Sequence, residues 1–459
     1  MAFRWRADRA SNLDRAGRGG ATVIRTIVDW RFAAPRRPAD PTDPFAREYR
    51  LGDVDELVRN AALRGMEVLL TIWGTPAWAN GAARRNVAPR DPEDLRDFAQ
   101  ALASRYSGRH PGYPFVRFYT IWNEPNAGYF LSPQFDSRGR SVAPRTYAAL
   151  VAAGYAGIKR GSPSALVGAG ETAARGADRR KPRVQDSHSP ARFARLVAAA
   201  APDLPFDAWA HHPYPRNDRT HPGARQRWPA VGFTGLGRFE ASLGRWFDRP
   251  EVPVWLTEIA YRTSPEVGGG APYALQAKYL SRALSLARSR PGVRMLVWFI
   301  FRDEPGEPWQ SGLVDQLGRA KPALATFAGA AASADATTLE LAPDAAAREL
   351  LLRVPALELR SLLPARSGVA VSWLLFSCDR LVTAGTTDGR LDTDGWVSLA
   401  AELRLSPGAS YRLALSIASA GAGSVRREVM LHAPGAAGGR SCAEGSMHPA
   451  VAAKREERR

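Results

Sequence analysis

The chain has little or none of four things, and each shortage removes a class of function or a compartment. It carries two cysteines in 459 residues, Cys378 and Cys442, and neither belongs to a Cys-x-x-Cys or Cys-x-x-His pattern, so no zinc or other metal site is expected. The pair could form one disulfide in an exported protein or remain two buried thiols. No apolar stretch approaches the roughly 18 uninterrupted residues of a membrane span, because arginine breaks the long runs. No Gly-rich phosphate loop or dinucleotide fingerprint follows the first strand-like segment, which argues against a Rossmann-type site and leaves no cofactor implied. The N-terminus, Met1-Ala2-Phe3-Arg4-Trp5-Arg6, is charged at once and lacks the apolar core of a secretory signal. As written, such a chain would stay in the cytoplasm.

Lysine is also scarce. Only Lys159, Lys181, Lys278, Lys321 and Lys454 contribute to the 63 basic residues that give the net charge of +18. The remaining basic residues are arginines spread among abundant Ala, Gly and Pro, as codon bias in a GC-rich genome would produce. No segment interleaves clustered Arg with aromatics as a nucleic-acid track would, so no nucleic-acid partner is expected. A basic polyanion binder stays open as one reading, and it predicts heparin or DNA binding that weakens steeply with salt.

What the chain has in plenty is alternation. Strand-like runs at Thr22–Val28, Glu67–Ile72, Val116–Trp122, Leu166–Ala169, Phe206–Ala210, Val252–Thr257 and Val293–Phe301 are separated by amphipathic stretches such as Val54–Leu63, Leu95–Tyr106, Thr146–Lys159, Pro190–Ala200 and Tyr273–Ala287. Alternating β and α over about 300 residues implies a parallel sheet, and this many units favours a (β/α)8 TIM barrel. Seven strands are clear, not eight. Either Ala2–Arg6 supplies a stub of the first strand, or the written start lies downstream of the true one; the second is preferred, and it predicts an unpaired barrel edge.

The barrel is expected over 1–330, ending in an Ala-rich stretch, Ala328–Ala336. Short apolar alternations at Leu350–Val354, Val369–Phe376, Trp396–Leu405, Ser410–Ile417 and Arg426–Leu431 then predict a small antiparallel β-sandwich over 337–435, with Thr387-Asp388-Gly389 as a hairpin turn. Residues 436–459, with the basic run Lys454–Arg459, read as a disordered tail. The sequence specifies no oligomeric state.

Two segments carry the chemistry. Ile121-Trp122-Asn123-Glu124-Pro125-Asn126 and Val254-Trp255-Leu256-Thr257-Glu258 each end a hydrophobic run with a glutamate where a buried strand would meet solvent. That is where barrel enzymes keep their catalytic groups. Together with Arg25, His212-Pro213-Tyr214 and Trp298 in matching order, these segments resemble the clan A glycoside hydrolases. Gly74-Thr75-Pro76-Ala77-Trp78-Ala79 adds a likeness to members of families 39 and 5. The resemblance covers roughly Thr22 to Phe327. It implies an acid/base on strand four, a nucleophile on strand seven, an extracellular polysaccharide-degrading glycosidase and a carbohydrate substrate.

The residue chemistry fits those roles. A retaining glycosidase needs one ionised carboxylate to attack the anomeric carbon and one carboxylic acid to protonate the leaving oxygen; Glu258 and Glu124 are the expected pair. Either could instead merely pair with an arginine. Arg25 on its strand would need a carboxylate partner, expected to be Glu258, and Tyr214 would donate a second hydrogen bond to it. Asn123 is placed to bond a substrate 2-hydroxyl. His212 is chosen over His211 by its spacing to Tyr214, since only one of two neighbouring strand residues faces inward. Trp298, Trp73 and Trp78 could stack on sugar faces or simply pack in the core, with Trp30 and Trp309 weaker candidates. Glu171, Asp303 and Glu304 could line the same mouth and rank lower, and the charged loop Ala174–Ser189 could cover it. The competing reading is an inactive barrel that binds carbohydrate without cleaving it.

Overall fold

Strands β1 (Val23–Asp29), β2 (Glu67–Trp73), β3 (Phe118–Ile121), β4 (Leu166–Ala173), β5 (Ala208–His212), β6 (Val254–Ile259) and β7 (Val293–Trp298) pair in parallel in that order. The computed structural model describes residues 8–64, 66–181, 185–340, 349–355, 367–377, 380–391, 396–403, 405–406, 409–419 and 423–432. Positions 1–7, both cysteines and the basic tail lie outside the described residues.

Helices alternate with the strands: α1 (Arg9–Arg18), α2 (Trp30–Ala33), α3 (Gly52–Ala62), α4 (Ala77–Asn80), α5 (Glu93–Arg105), α6 (Ala143–Gly161), α7 (Pro190–Ala200), α8 (Leu236–Trp246), α9 (Tyr273–Arg288) and α10 (Pro322–Asp335). Crossover helices shield the sheet, so β5 and β6 are buried at every position and read as continuous apolar runs. β1 and β7 are less buried. Among the described residues, β1 pairs only with β2 and β7 only with β6, so the ladder does not close between them.

Several strand ends differ from the sequence expectation for a local reason. β3 stops at Ile121 because Trp122 adopts a left-handed φ of 69°, which a strand cannot continue through. β4 runs past Ala169 to Ala173 across a register shift against β5.

Three glycines on one face of α6 set its packing. A Cβ at Gly157 would fall onto the Arg96 carbonyl oxygen of α5, one at Gly161 onto the Gln100 carbonyl, and one at Gly154 onto Ile121 of β3. The backbones of α5 and α6 therefore touch directly. Substituting Gly157→Val should destabilise the fold by about 1–3 kcal/mol through overpacking, read as a lower midpoint in thermal or denaturant unfolding. An unchanged midpoint would mean that α5 can move away at no cost.

The chain divides into two compact units between Ala332 and Ser333. The second contains β8 (Ala336–Glu340), β9 (Glu349–Pro355), β10 (Gly368–Ser377), β11 (Arg380–Leu391), β12 (Trp396–Glu402), β13 (Ser410–Ser419) and β14 (Gly423–His432), in the order β8-β14-β13-β10-β11-β12-β9. All neighbours are antiparallel except β8 and β14. β10 alternates exposed and buried positions, and its Val369, Val371, Trp373 and Leu375 share one apolar cluster with Val397, Leu413, Leu415 and Leu431. The expected hairpin turn at Thr387-Asp388-Gly389 is not a turn. Asp388 and Gly389 lie inside β11, paired with Ala370 and Val369. A Cβ at Gly389 would collide with the Val397 side chain, so close packing, not chain reversal, explains the glycine.

Candidate active site

The expected residues converge at the C-terminal ends of the parallel strands, around a cation from β1. Arg25 sends Nη1 to Glu258 Oε1 at 2.6 Å and Nη2 to both Asn123 Oδ1 and Glu171 Oε2 at 2.8 Å. Glu258 Oε2 accepts from the Tyr214 hydroxyl at 2.9 Å. His212, at the end of β5, places Nδ1 3.0 Å from Glu124 Oε1 and 3.7 Å from Glu258 Oε2, and Nε2 2.7 Å from Glu171 Oε2. One imidazole thus touches three carboxylates.

Unusual backbone aims these groups. Glu124 has a φ of 39°, and Gly170 and Glu171 have φ of 97° and 46°. Non-glycine residues visit this region only where the surroundings hold them. Here the Glu124 N–H donates to the Glu171 carbonyl at 3.0 Å. Tyr147 of α6 donates to the Ile121 carbonyl at 3.0 Å and accepts from the Gly170 N–H at 2.7 Å, tying the end of β3 to the irregularity in β4. The shift in register between Ala169 and Thr172 turns Glu171 toward Arg25.

Exposure separates the carboxylates. The side chains of Glu124 and Glu258 are 19% and 10% exposed, whereas Glu171 is 0% exposed. Only the first two can reach a substrate. Burial alone would raise Glu171, but the Arg25 charge and the hydrogen bond and charge of His212 outweigh it and hold it down at about 2. Burial would lower His212, yet the Glu258 charge and the hydrogen bonds to Glu124 and Glu171 push it up to about 10. His212 is therefore an imidazolium that donates from both nitrogens. Tyr214 is raised by burial and the Glu258 charge, so it stays a donor. His211 faces the other way, against Thr172 Oγ1 at 2.9 Å and the Val231 carbonyl at 3.1 Å, and burial lowers it to about 3.

The tryptophans divide. Trp298 is buried, donating to the Ser311 carbonyl at 2.9 Å, and lies beside Ile259 in the β6–β7 pairing, one residue past Glu258. Trp73 is buried at the end of β2 and donates to the Phe130 carbonyl; Trp78 is half-buried and donates to the Ala34 carbonyl. Trp30 is a core residue stacked on Phe98 at 5.6 Å. Trp309 packs edge-on against Tyr214 at 5.4 Å, nearer the site than its sequence position suggested. Asp303 does not belong to the mouth: it pairs with buried Lys321 and accepts from the Gly312 N–H at 2.6 Å.

Two features go further than the sequence reading. Glu171 ranked low in the sequence and proves to be the buried anion that joins Arg25 to His212. Asn126, two residues past Glu124, fastens the loop after β4: its amide donates to the Ala173 and His188 carbonyls and accepts from the Ala173 N–H at 2.8 Å. That loop reaches back toward the site through Arg175, whose Nη1 donates to the Tyr214 and Pro215 carbonyls at 3.0 and 2.8 Å. Among the described residues, no cluster of His, Cys, Asp and Glu has the arrangement of a metal site, and no helix is long and apolar enough to cross a membrane.

No protein-family model and no curated protein matches the sequence. Solved structures do match its fold. A GH5_18 enzyme from Streptomyces cattleya, in complex with GlcNAc, shares 17% identity with a TM-score of 0.50, covering 73% of this chain and 79% of that one. A GH5_18 enzyme from Bifidobacterium longum subsp. infantis shares 16% identity with a TM-score of 0.48, covering 74% and 79%. The likeness is one of fold: the parallel strands and alternating helices of this chain follow those of the GH5_18 structure.

Proposed function

We propose that the chain is a retaining glycoside hydrolase that cleaves O-glycosidic bonds of an oligo- or polysaccharide by double displacement, with Glu258 as nucleophile and Glu124 as acid/base. The observation that carries this reading is His212 Nδ1, which lies 3.0 Å from one carboxylate and 3.7 Å from the other. The two oxygens are then at most about 6.7 Å apart. Retaining pairs stand roughly 5–5.5 Å apart and inverting pairs roughly 6.5–9.5 Å, leaving room for a water. The bound favours the shorter class.

The surrounding groups suit the two steps. Arg25 and Tyr214 each engage one oxygen of Glu258, which fixes the orientation of the nucleophile toward the anomeric carbon. Glu124 gives its proton to the leaving oxygen as the Glu258–sugar bond forms. It then takes a proton from the water that breaks that bond. Asn123 spends Oδ1 on Arg25, leaving its Nδ2 hydrogens for a substrate 2-hydroxyl, a contact that strengthens as oxocarbenium character develops. Trp298, Trp73 and, further out, Trp78 supply apolar faces for sugar C–H groups. The reading places the protein among extracellular polysaccharide-degrading enzymes.

The test is the configuration of the first product. Aryl glycosides and soluble polysaccharides are screened for hydrolysis, and proton NMR of the early reaction is expected to show the anomer of the substrate retained. An inverted first product would rule out the covalent intermediate and make Glu258 a base instead.

A further inference from the structure

Most large apolar side chains of the barrel unit are buried, but two aromatic rings at its C-terminal rim are not. Phe32 is 68% exposed and Tyr129 is 65% exposed. Phe32 sits on the one-turn helix α2 directly after β1, the strand of Arg25. Tyr129 lies five residues past Glu124. Both follow strands that end in the candidate active site.

Neither ring hangs loose. The Arg85 guanidinium lies 5.1 Å from the Phe32 ring and 5.1 Å from the Trp73 ring, and it is fixed from behind by Asp29 at 2.8 Å. Phe130 packs edge-on against Trp73 at 5.4 Å, and Tyr129 edge-on against Phe130 at 4.9 Å. Tyr129, Phe130, Trp73, Arg85 and Phe32 form one connected row along the ends of β1, β2 and β3. Exposed aromatic groups held in this way cost solvation and contribute nothing to the core. Their flat faces match the apolar C–H face of a pyranose ring, and a guanidinium between them offers donors to ring hydroxyls.

We propose that this row is a binding platform for successive sugar rings of a neutral glycan chain extending from the cleaved bond, so that the enzyme acts on polymers and not only on terminal units. The inference rests on the glycosidase reading for the position of the cleaved bond. The platform itself can be tested without hydrolysis.

Affinity electrophoresis of the full chain in gels containing laminarin, galactomannan or arabinoxylan, with heparin as the anionic control, measures binding directly. At least one neutral polysaccharide should retard the wild-type chain. Phe32→Ala and Tyr129→Ala should each weaken that retardation about two- to tenfold, while Phe32→Trp and Tyr129→Phe, which keep a flat ring, should restore it. The ratio of polysaccharide to aryl-glycoside kcat/KM should fall in the alanine variants. Both side chains are exposed, so unfolding midpoints should not move.

Equal retardation of wild-type and alanine variants, or retardation by heparin alone, would overturn the platform. So would alanine variants that keep their affinity but lose self-association in sedimentation, since the rings would then belong to a contact between copies. Weakened polysaccharide binding in a chain that hydrolyses nothing would uphold the platform and sink the glycosidase instead.

Discussion

Glu258→Ala should lower kcat by about four orders of magnitude or more on every substrate the wild type cleaves. The reason lies in what the carboxylate holds together. It faces Arg25 at 2.6 Å and Tyr214 at 2.9 Å, and alanine removes the carboxylate that the proposed mechanism uses to form the glycosyl bond. Glu124→Ala should behave differently. Without its proton donor the first step depends on the leaving group, so substrates with activated phenolate leaving groups should lose far less than polysaccharides do. Steady-state kinetics on a series of aryl glycosides checks both, with circular dichroism confirming that the variants fold. Near-wild-type turnover by both alanine variants would end the glycosidase reading.

The second large effect concerns stability. Glu171→Gln should cost about 3–5 kcal/mol at pH 5.5, because it removes the buried anion between two buried cations, Arg25 at 2.8 Å and His212 at 2.7 Å. The pH dependence follows from the two shifts. Glu171 is depressed to about 2 from an ordinary 4.5, so its contribution is complete above about 4.5 and is lost as pH falls toward 2. His212 is raised to about 10 from 6.5. Its contribution is complete below about 6.5 and is lost as pH rises through 10. For this cluster the wild type is most stable between those inner limits. The glutamine variant should lose the acid slope and show its alkaline decline at lower pH. Denaturant unfolding at pH 3, 5.5 and 8.5 would decide the matter. A loss below about 1 kcal/mol at pH 5.5 would show that Arg25 and His212 are satisfied without Glu171.

Much of this site could be read from the sequence, for identifiable reasons. Glu124 and Glu258 each close a β-branched and aromatic run, so strand ends and inward-facing carboxylates could be placed together. The preference for His212 over His211 combined the alternation of a strand with the spacing to Tyr214, and the two rings do point apart, one to the carboxylates and one to Thr172 and Val231. Glu171 was harder to read. Its inward aim depends on a register shift and two left-handed residues, and regular alternation gives no sign of either. Trp309 reaches Tyr214 from the loop after β7, a long-range contact that the local pattern of the loop does not reveal. In the second unit, the strands with clean alternation were legible. β11 was not: its Thr-Thr-Asp-Gly stretch has a turn's composition, and pairing with β10 overrides it.

The glycine face of α6 bears on Glu124 as a matter of mechanics. α5 and α6 stand before and after β3 in the chain, and the strand leads into Glu124. Where two helices meet through side chains, rotamers can give and the pair can slide by fractions of an ångström. Where they meet backbone to backbone, as at Gly157 and Gly161, little is left to give. Tyr147, on the same helix, grips the end of β3 through the Ile121 carbonyl. Glu124 is thus mounted on a stiff bracket, and its positional tolerance is set by two peptide planes in contact some distance behind it.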